Sequence, residues 1–185
     1  AVARLLSCGA LVRSGVDGGL LYSPVQIFPL ALTGRRRRPL LIATDWDLES
    51  LLPNRYRVMP VGLDSLELAH TAPRHVWRAR VLDVCCGSGV QALAAATTYA
   101  AHVVAIDLSE RAVRFCRFNA TLNRIAPSRL EVRCGDVYEG LATATREATR
   151  AATRESPRAD GGEVAVDERF DVILSNPPFV AVPPA

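Results

Sequence analysis

From residue 81 onward, short apolar runs alternate with longer amphipathic or alanine-rich stretches. Val81-Leu82-Asp83-Val84 reads as a strand and Gly89 to Tyr99 as an Ala-rich helix. Val103-Val104-Ala105-Ile106 is a second strand. Ser109 opens a helix running to about Leu122, with Glu110 and Arg114 four apart on one face. Leu130-Glu131-Val132-Arg133 is a third strand, and Phe170-Asp171-Val172-Ile173-Leu174 a fourth. Continuous apolar runs of this length suit strands buried on both faces. Strands separated by helices at this spacing predict a parallel sheet with right-handed crossovers, an α/β fold.

The chain before this region has a different texture. Ala3 to Val12 predicts a short helix ending near Gly15, and Val16-Asp17-Gly18-Gly19 a turn. Leu20-Leu21-Tyr22 and Val25-Gln26-Ile27-Phe28 read as strands after it. A helix followed by a hairpin with a Gly-Gly tip is a winged-helix-like pattern. Residues 1–60 are therefore expected to form an amino-terminal accessory segment, small and α+β, ahead of a domain over 61–185. Arg35 to Arg38 lie in a loop between Gly34 and Pro39, and Leu40-Leu41-Ile42-Ala43 forms another short strand. Asp64 or Ser65 is expected to cap a short helix over Leu66 to His70, stopped by Pro73. Between the third and fourth strands of the alternating region, Leu141 to Arg169 repeats Ala-Thr-Arg at a four-residue period. This predicts a helix of modest stability and then a loop.

Composition narrows the class without deciding it. The 185 residues fit one ordinary domain, or a small domain plus part of a second. Hydrophobic residues are 49% of the chain, too many for a disordered polymer. The net charge of +3 permits an anionic partner without demanding one, and every cation is Arg. The five cysteines Cys8, Cys85, Cys86, Cys116 and Cys134 include no C-x-x-C pair. That pattern suits a reducing intracellular compartment such as the cytoplasm, not a disulfide or zinc framework. No apolar run approaches the length of a membrane span. His70, His75 and His102 lack a spacing suited to a ligand set, so no metal is expected.

The candidate chemistry lies where the strands end. In an open parallel sheet, ligands bind beyond the carboxyl ends of the strands. Asp83-Val84-Cys85-Cys86-Gly87-Ser88-Gly89 is a glycine turn at such an end. Gly87 and Gly89 let a ligand approach the backbone and start the helix tightly. Asp83 would repel a pyrophosphate and suits a ligand bearing an amino group. Asp107, 18 residues after Gly89, ends the second strand. Its carboxylate either takes both hydroxyls of a ribose or caps the helix opening at Ser109. Gly135-Asp136 ends the third strand, where Asp136 either accepts from an adenine amino group with Val137 against the ring or is a plain turn residue.

Asn176-Pro177-Pro178-Phe179 follows the fourth strand. Two prolines remove two backbone donors and stiffen the turn. What remains is rich in acceptors and can hold a planar NH2 group by its hydrogens, with Phe179 as a stacking face. The bland alternative is a rigid proline turn. Together with the glycine turn, the motif points to methyl transfer from S-adenosyl-L-methionine to a nitrogen.

Residues Arg57 to Val180 resemble the class I S-adenosylmethionine-dependent methyltransferases, and within them the amino-N enzymes bearing Asn-Pro-Pro-Tyr/Phe. The nearest likeness is to the release-factor glutamine and small-domain rRNA guanine methyltransferases. Val81 to Gly89 is similar to the family's first motif, with Cys85 where Gly is commoner. Val104 to Ser109 is similar to its ribose strand, and Ala112-Val113, Asn119 and Leu122-Asn123 to the helix after it. The resemblance implies a Rossmann-like sheet and S-adenosyl-L-methionine as cofactor. It implies cofactor contacts at Asp83, Cys85, Gly87, Ser88, Gly89, Asp107, Leu108, Asp136, Val137 and Asn176, and a catalytic turn at Asn176, Pro177, Pro178 and Phe179. It also implies a macromolecular substrate, an RNA base or a protein glutamine of the release-factor kind. Two departures stand out. Protein-glutamine enzymes carry Pro-Arg-Pro-Glu-Thr-Glu before the first strand, where this chain has Val61-Gly62-Leu63-Asp64-Ser65-Leu66-Glu67. The family's sheet has seven strands, three of them after the Asn-Pro-Pro turn. The expectation is thus a partial methyltransferase domain with its first four strands, either an incomplete enzyme or a non-catalytic cofactor- or RNA-binding module.

Overall fold

The computed structural model describes residues 2–7, 11–13, 15, 19–32, 38–46, 58–136 and 168–177. Arg35 to Arg37, Val137, most of the Ala-Thr-Arg segment, Pro178 and Phe179 lie outside the described residues.

The amino-terminal region contains helix α1 (Val2–Ser7) and four short strands, β1 (Val12–Arg13), β2 (Leu21–Tyr22), β3 (Gln26–Leu30) and β4 (Leu40–Thr44). The first helix is shorter than its apolar pattern predicts, because Val12 pairs with Tyr22 in an antiparallel ladder. The strand expected at 25–28 pairs with β4, not with β2, over five residue pairs from Gln26–Thr44 to Leu30–Leu40.

Helix α2 (Leu63–Thr71) leads into β5 (Ala79–Val84), α3 (Val90–Thr98), β6 (Ala100–Asp107), α4 (Glu110–Leu122), β7 (Leu130–Cys134) and β8 (Val172–Ser175). These strands form a four-stranded parallel sheet in the order β7-β6-β5-β8. The chain steps outward from β5 through β6 to β7, then returns to the other side of β5 with β8. The order therefore reverses at β5, and the crevice beyond the carboxyl ends of β5 and β8 is the switch point where open sheets of this kind bind ligands. The fold is α/β and Rossmann-like, as the strand–helix alternation predicts.

The side-chain alternation of the strands sorts two apolar clusters to the two faces of the sheet. Val81, Val103, Ala105, Val132, Val172 and Leu174 pack on one face with α3, α4 and the β3–β4 hairpin. Leu82, Val104 and Ile106 form a smaller cluster on the other, with Val84 and Phe170 against it. Helix α3 is buried at every position from Val90 to Ala96. Its alanines allow it to sit close to the sheet, which brings the glycine turn before it into register with the strand ends.

Leu30, Leu40 and Ile42 belong to the same core as α3 and the sheet. Two asparagines one helical turn apart bind the hairpin to α4. Asn119 Oδ1 accepts from Ala43 N at 2.8 Å, and its Nδ2 donates to Ala43 O at 2.9 Å. Asn123 repeats the arrangement with Leu41 N and O at 2.9 and 2.7 Å. The two amides thus satisfy a strand edge as another strand would. Arg111 grips Asp45 with two guanidinium donors, and Asp45 Oδ2 also accepts from Val58 N at 2.9 Å. β3 and β4 therefore contribute Leu30, Leu40 and Ile42 to the core of the parallel sheet.

Candidate active site

The sheet register carries the predicted site residues to one edge. Val84 is level with Ile106 on one side and Ser175 on the other, and Asp107 is level with Cys134. The turn after β5, Asp107, Gly135-Asp136 and Asn176 thus all follow the carboxyl ends of neighbouring strands. β6 and β8 are two strand spacings apart, about 10 Å, which sets the span between Asp107 and Asn176.

The turn from Cys85 to Gly89 forms the floor. Cys85 and Gly87 have positive φ, 57° and 53°, and Gly89 has φ 86°. Gly89 is required on two grounds. Its backbone is left-handed, and an added Cβ would lie 2.6 Å from Cys116 Sγ and 2.8 Å from Leu93 Cδ1. At Gly87 an added Cβ would meet nothing within 4 Å, so the turn faces open space there. Cys85 holds a left-handed backbone with a side chain, which gives a physical reason for Gly being the commoner residue at this position in the resembling enzymes.

Asp107 ties this floor to the next strand. Its Oδ2 accepts from Gly87 N at 2.8 Å and its Oδ1 from Ser109 N at 2.9 Å. Ser109 itself caps α4, accepting from Ala112 N at 3.4 Å. Each carboxylate oxygen of Asp107 retains a further acceptor position, so the pair can still receive vicinal hydroxyls. Leu108 presents a side chain that is 77% exposed beside it. Asp136 is exposed and follows Gly135, whose N–H donates to Asp107 O at 3.0 Å.

Asp83 lies beneath the floor with only 1% exposure. Its Oδ2 accepts from Ala92 N at 2.9 Å, in the first turn of α3. Burial raises its pKa from 3.8 to about 7, the Ala92 bond opposes the rise, and the Asp107 charge adds to it. A carboxyl poised between its two forms beneath an open turn suits a ligand that brings positive charge. Burial and the neighbouring Asp107 and Asp83 charges also raise the Cys85 thiol above its ordinary value. Ser88 is buried, and its carbonyl accepts from Asn119 Nδ2 at 2.9 Å, so the asparagine that clamps the hairpin also clamps the floor.

Asn176 forms the rim on the opposite side. Its Nδ2 donates to Asp64 Oδ2 at 2.6 Å and to Ser65 Oγ at 3.2 Å. The sequence pattern assigns Asp64 or Ser65 to a helix cap. Instead α2 begins at Leu63 after Gly62 with no side-chain cap bond, and the two side chains turn to Asn176. Gln91 Nε2 donates to Ser65 O at 3.4 Å, which joins the first turns of α2 and α3. Pro177 is exposed after Asn176. Sequence reasoning missed the contacts of Asp64 and Ser65 with Asn176 and of Gln91 with Ser65, because they form only through the fold.

Among the described residues no cluster of three or more His, Cys, Asp or Glu could hold a metal ion. Among them also, no helix is long and apolar enough to cross a membrane.

The reversed strand order, the open glycine turn and an acidic residue at the end of β6 suit a nucleoside-bearing ligand, and the comparisons with known proteins place the chain among the S-adenosylmethionine-dependent methyltransferases. The family model of the ribosomal protein L11 methyltransferases (PrmA) matches residues 62–154, half of the chain, and the chain belongs to that family. It is 44% identical over 61 residues to the ribosomal protein L11 methyltransferase of Aquifex aeolicus, covering 33% of this chain and 25% of that protein. It is 33% identical over 124 residues to tRNA (uracil-5-)-methyltransferase homolog A of Mus musculus, covering 60% of this chain and 20% of that protein. The fold matches the solved structure of SMU.776 complexed with SAH, with a TM-score of 0.50 at 15% identity, over 85% of this chain and 33% of that one. The chain thus spans a quarter or less of the length of these two curated relatives. The cofactor of the fold is S-adenosyl-L-methionine, and the open space at Gly87, the Asp107 acceptors and the buried Asp83 fit it.

Proposed function

We propose that this chain carries the cofactor half and the nucleophile-binding turn of an N-methyltransferase acting on a planar amino or amide nitrogen of a macromolecule. The observation that carries this reading is the state of Asn176. Both of its donated hydrogen bonds go to Asp64 and Ser65, and among the described residues nothing donates to its Oδ1. Pro177, with no N–H, leaves only a carbonyl beside it.

When bound, S-adenosyl-L-methionine supplies an electrophilic methyl group on a sulfonium. The protein's part is to hold the nucleophile. An amide or aromatic amine is a weak nucleophile because its lone pair is delocalised. Asn176 Oδ1 and the Pro177 carbonyl accept from the substrate NH2, favour a pyramidal nitrogen and aim its lone pair across the crevice. As the nitrogen–methyl bond forms, the sulfur–methyl bond breaks, the thioether leaves, and the methylated nitrogen releases its extra proton to water, so positioning and electrostatics supply most of the rate with no strong base.

The family and the mouse relative make the translation apparatus the first place to look for the substrate, with ribosomal protein L11 tested beside RNA. The run Arg35 to Arg38 favours RNA as a second reading, since guanidinium forks pair with phosphates. The test is transfer of a labelled methyl group to RNA, to L11 and to release factors, followed by single-turnover kinetics. Asn176→Ala is expected to lower the rate by about 10²–10³, by analogy with loss of an oxyanion-hole donor, with cofactor affinity unchanged. A full rate in that variant would leave the methyltransferase fold standing and remove the amino-N assignment.

A further inference from the structure

We infer that Asp64, with Ser65 beside it, is a positioning residue that sets the orientation of the Asn176 amide and strengthens its oxygen as an acceptor. The inference rests on the proposed role of Asn176 in holding the substrate nitrogen.

An asparagine at a strand end can turn its amide either way. If Nδ2 faced the crevice, the side chain would offer donors to a substrate NH2 group that is itself a donor, and binding would be repulsive. A carboxylate removes this ambiguity, because it can only accept. Asp64 Oδ2 accepts from Asn176 Nδ2 at 2.6 Å, a short hydrogen bond. Ser65 Oγ, at 3.2 Å, takes the same NH2 group. With both partners on the nitrogen side, Oδ1 is left directed away from α2. Donation to a carboxylate also polarises the amide, since chained hydrogen bonds reinforce one another and leave more negative charge on the far oxygen.

The partners sit on the first turn of α2, where Gln91 of α3 also reaches the Ser65 carbonyl. The orientation of Asn176 is thus referred to the same helix that starts at the cofactor turn. Asp64 itself is exposed and serves no cap, which separates its role from general stability.

The test uses the chain with its asparagine side chains labelled with nitrogen-15. The Asn176 NH2 resonances are assigned by their loss in Asn176→Ala. In the wild type they are expected to be shifted from free-amide positions and slow to exchange. Asp64→Ala is expected to collapse the shift and speed exchange, whereas Asp64→Asn, which offers a neutral acceptor and also a donor, retains only part of it. In single-turnover methyl transfer, Asp64→Ala is expected to slow the rate roughly 10-fold or more, as for loss of a hydrogen bond to a charged group, with unfolding midpoint and cofactor affinity unchanged. Ser65→Ala should show a smaller effect in the same direction. Unchanged NH2 resonances in Asp64→Ala would overturn the inference. A full rate in Asp64→Ala with a slow Asn176→Ala would overturn the positioning role alone. A full rate in Asn176→Ala would overturn this role and the amino-N reading together.

Discussion

The two walls of the crevice are built differently. The floor formed by the glycine turn is held by backbone N–H groups donating to nearby carboxylates: Gly87 to Asp107, Ser109 to Asp107 and Ala92 to Asp83. Its bonds join residues 2 to 20 positions apart, and its members are buried or half-buried. The rim around Asn176 is held by side chains alone, and its partners are 111 and 112 positions away. Losing a floor carboxylate leaves a buried or half-buried backbone N–H without its acceptor, which costs stability. A wall made of side chains can be altered one group at a time. Variants that remove a floor carboxylate or crowd Gly89 should therefore lose stability and cofactor binding together, while rim variants should separate rate from both.

The largest effect is expected at Gly89. A methyl group there meets Cys116 and Leu93 and must be carried on a left-handed backbone. Gly89→Ala should destabilise the fold by about 2–5 kcal/mol, read from urea unfolding, and should weaken cofactor binding in step. An unchanged midpoint would mean the floor relaxes far more easily than its packing implies.

The buried Asp83 makes the floor sensitive to pH. Its folded pKa of about 7 lies above the value of 3.8. Between these values the folded protein holds a proton that the unfolded chain has released. Stability is therefore full below about pH 4 and falls as pH rises towards 7, by at most about 1.4 kcal/mol per unit. Asp83→Asn should flatten that slope. A positively charged ligand favours the ionised form, so cofactor affinity should rise with pH over the same window in the wild type and not in the variant. A ligand-free stability curve that is level from pH 4 to 7 would contradict the burial argument.

Asp107→Ala should weaken S-adenosylhomocysteine binding by about 1–3 kcal/mol, the cost of leaving ribose hydroxyls without a charged acceptor. Calorimetry on Asp107→Ala beside Asn176→Ala sharpens the contrast between the walls, because only the first should lose affinity. Equal affinities in wild type and Asp107→Ala would sink the ribose assignment.

The smallest effect is expected at Cys85. A non-glycine residue at φ 57° is strained by about 1–2 kcal/mol, and the added freedom of glycine in the unfolded chain offsets part of that. Cys85→Gly should raise the melting temperature slightly and leave methyl transfer unchanged. Loss of transfer with intact cofactor binding would assign the thiol a role in the chemistry.

Much of the architecture is legible in the order of apolar runs. Two-residue alternation and helical spacing act over a few positions, so β5, α3, β6, α4, β7 and β8 follow from local pattern, and with them a parallel sheet. The glycine turn and Asp107 are legible for the same reason, since their hydrogen bonds close over short stretches of chain. The family match adds the class and the cofactor. Other features depend on packing between distant segments. Which strand Gln26–Leu30 would pair with was settled by β4, whose other edge is met by Asn119 and Asn123 of α4. The first helix gives up its last residues to a ladder with Leu21–Tyr22. Asp64 and Ser65 look like helix caps in sequence, and only folding brings them to Asn176. The sequence by itself determined the elements and the glycine turn, because those rest on neighbours along the chain. The tertiary structure decided how the rim is aimed, because a hydrogen bond across 112 positions has no local signature.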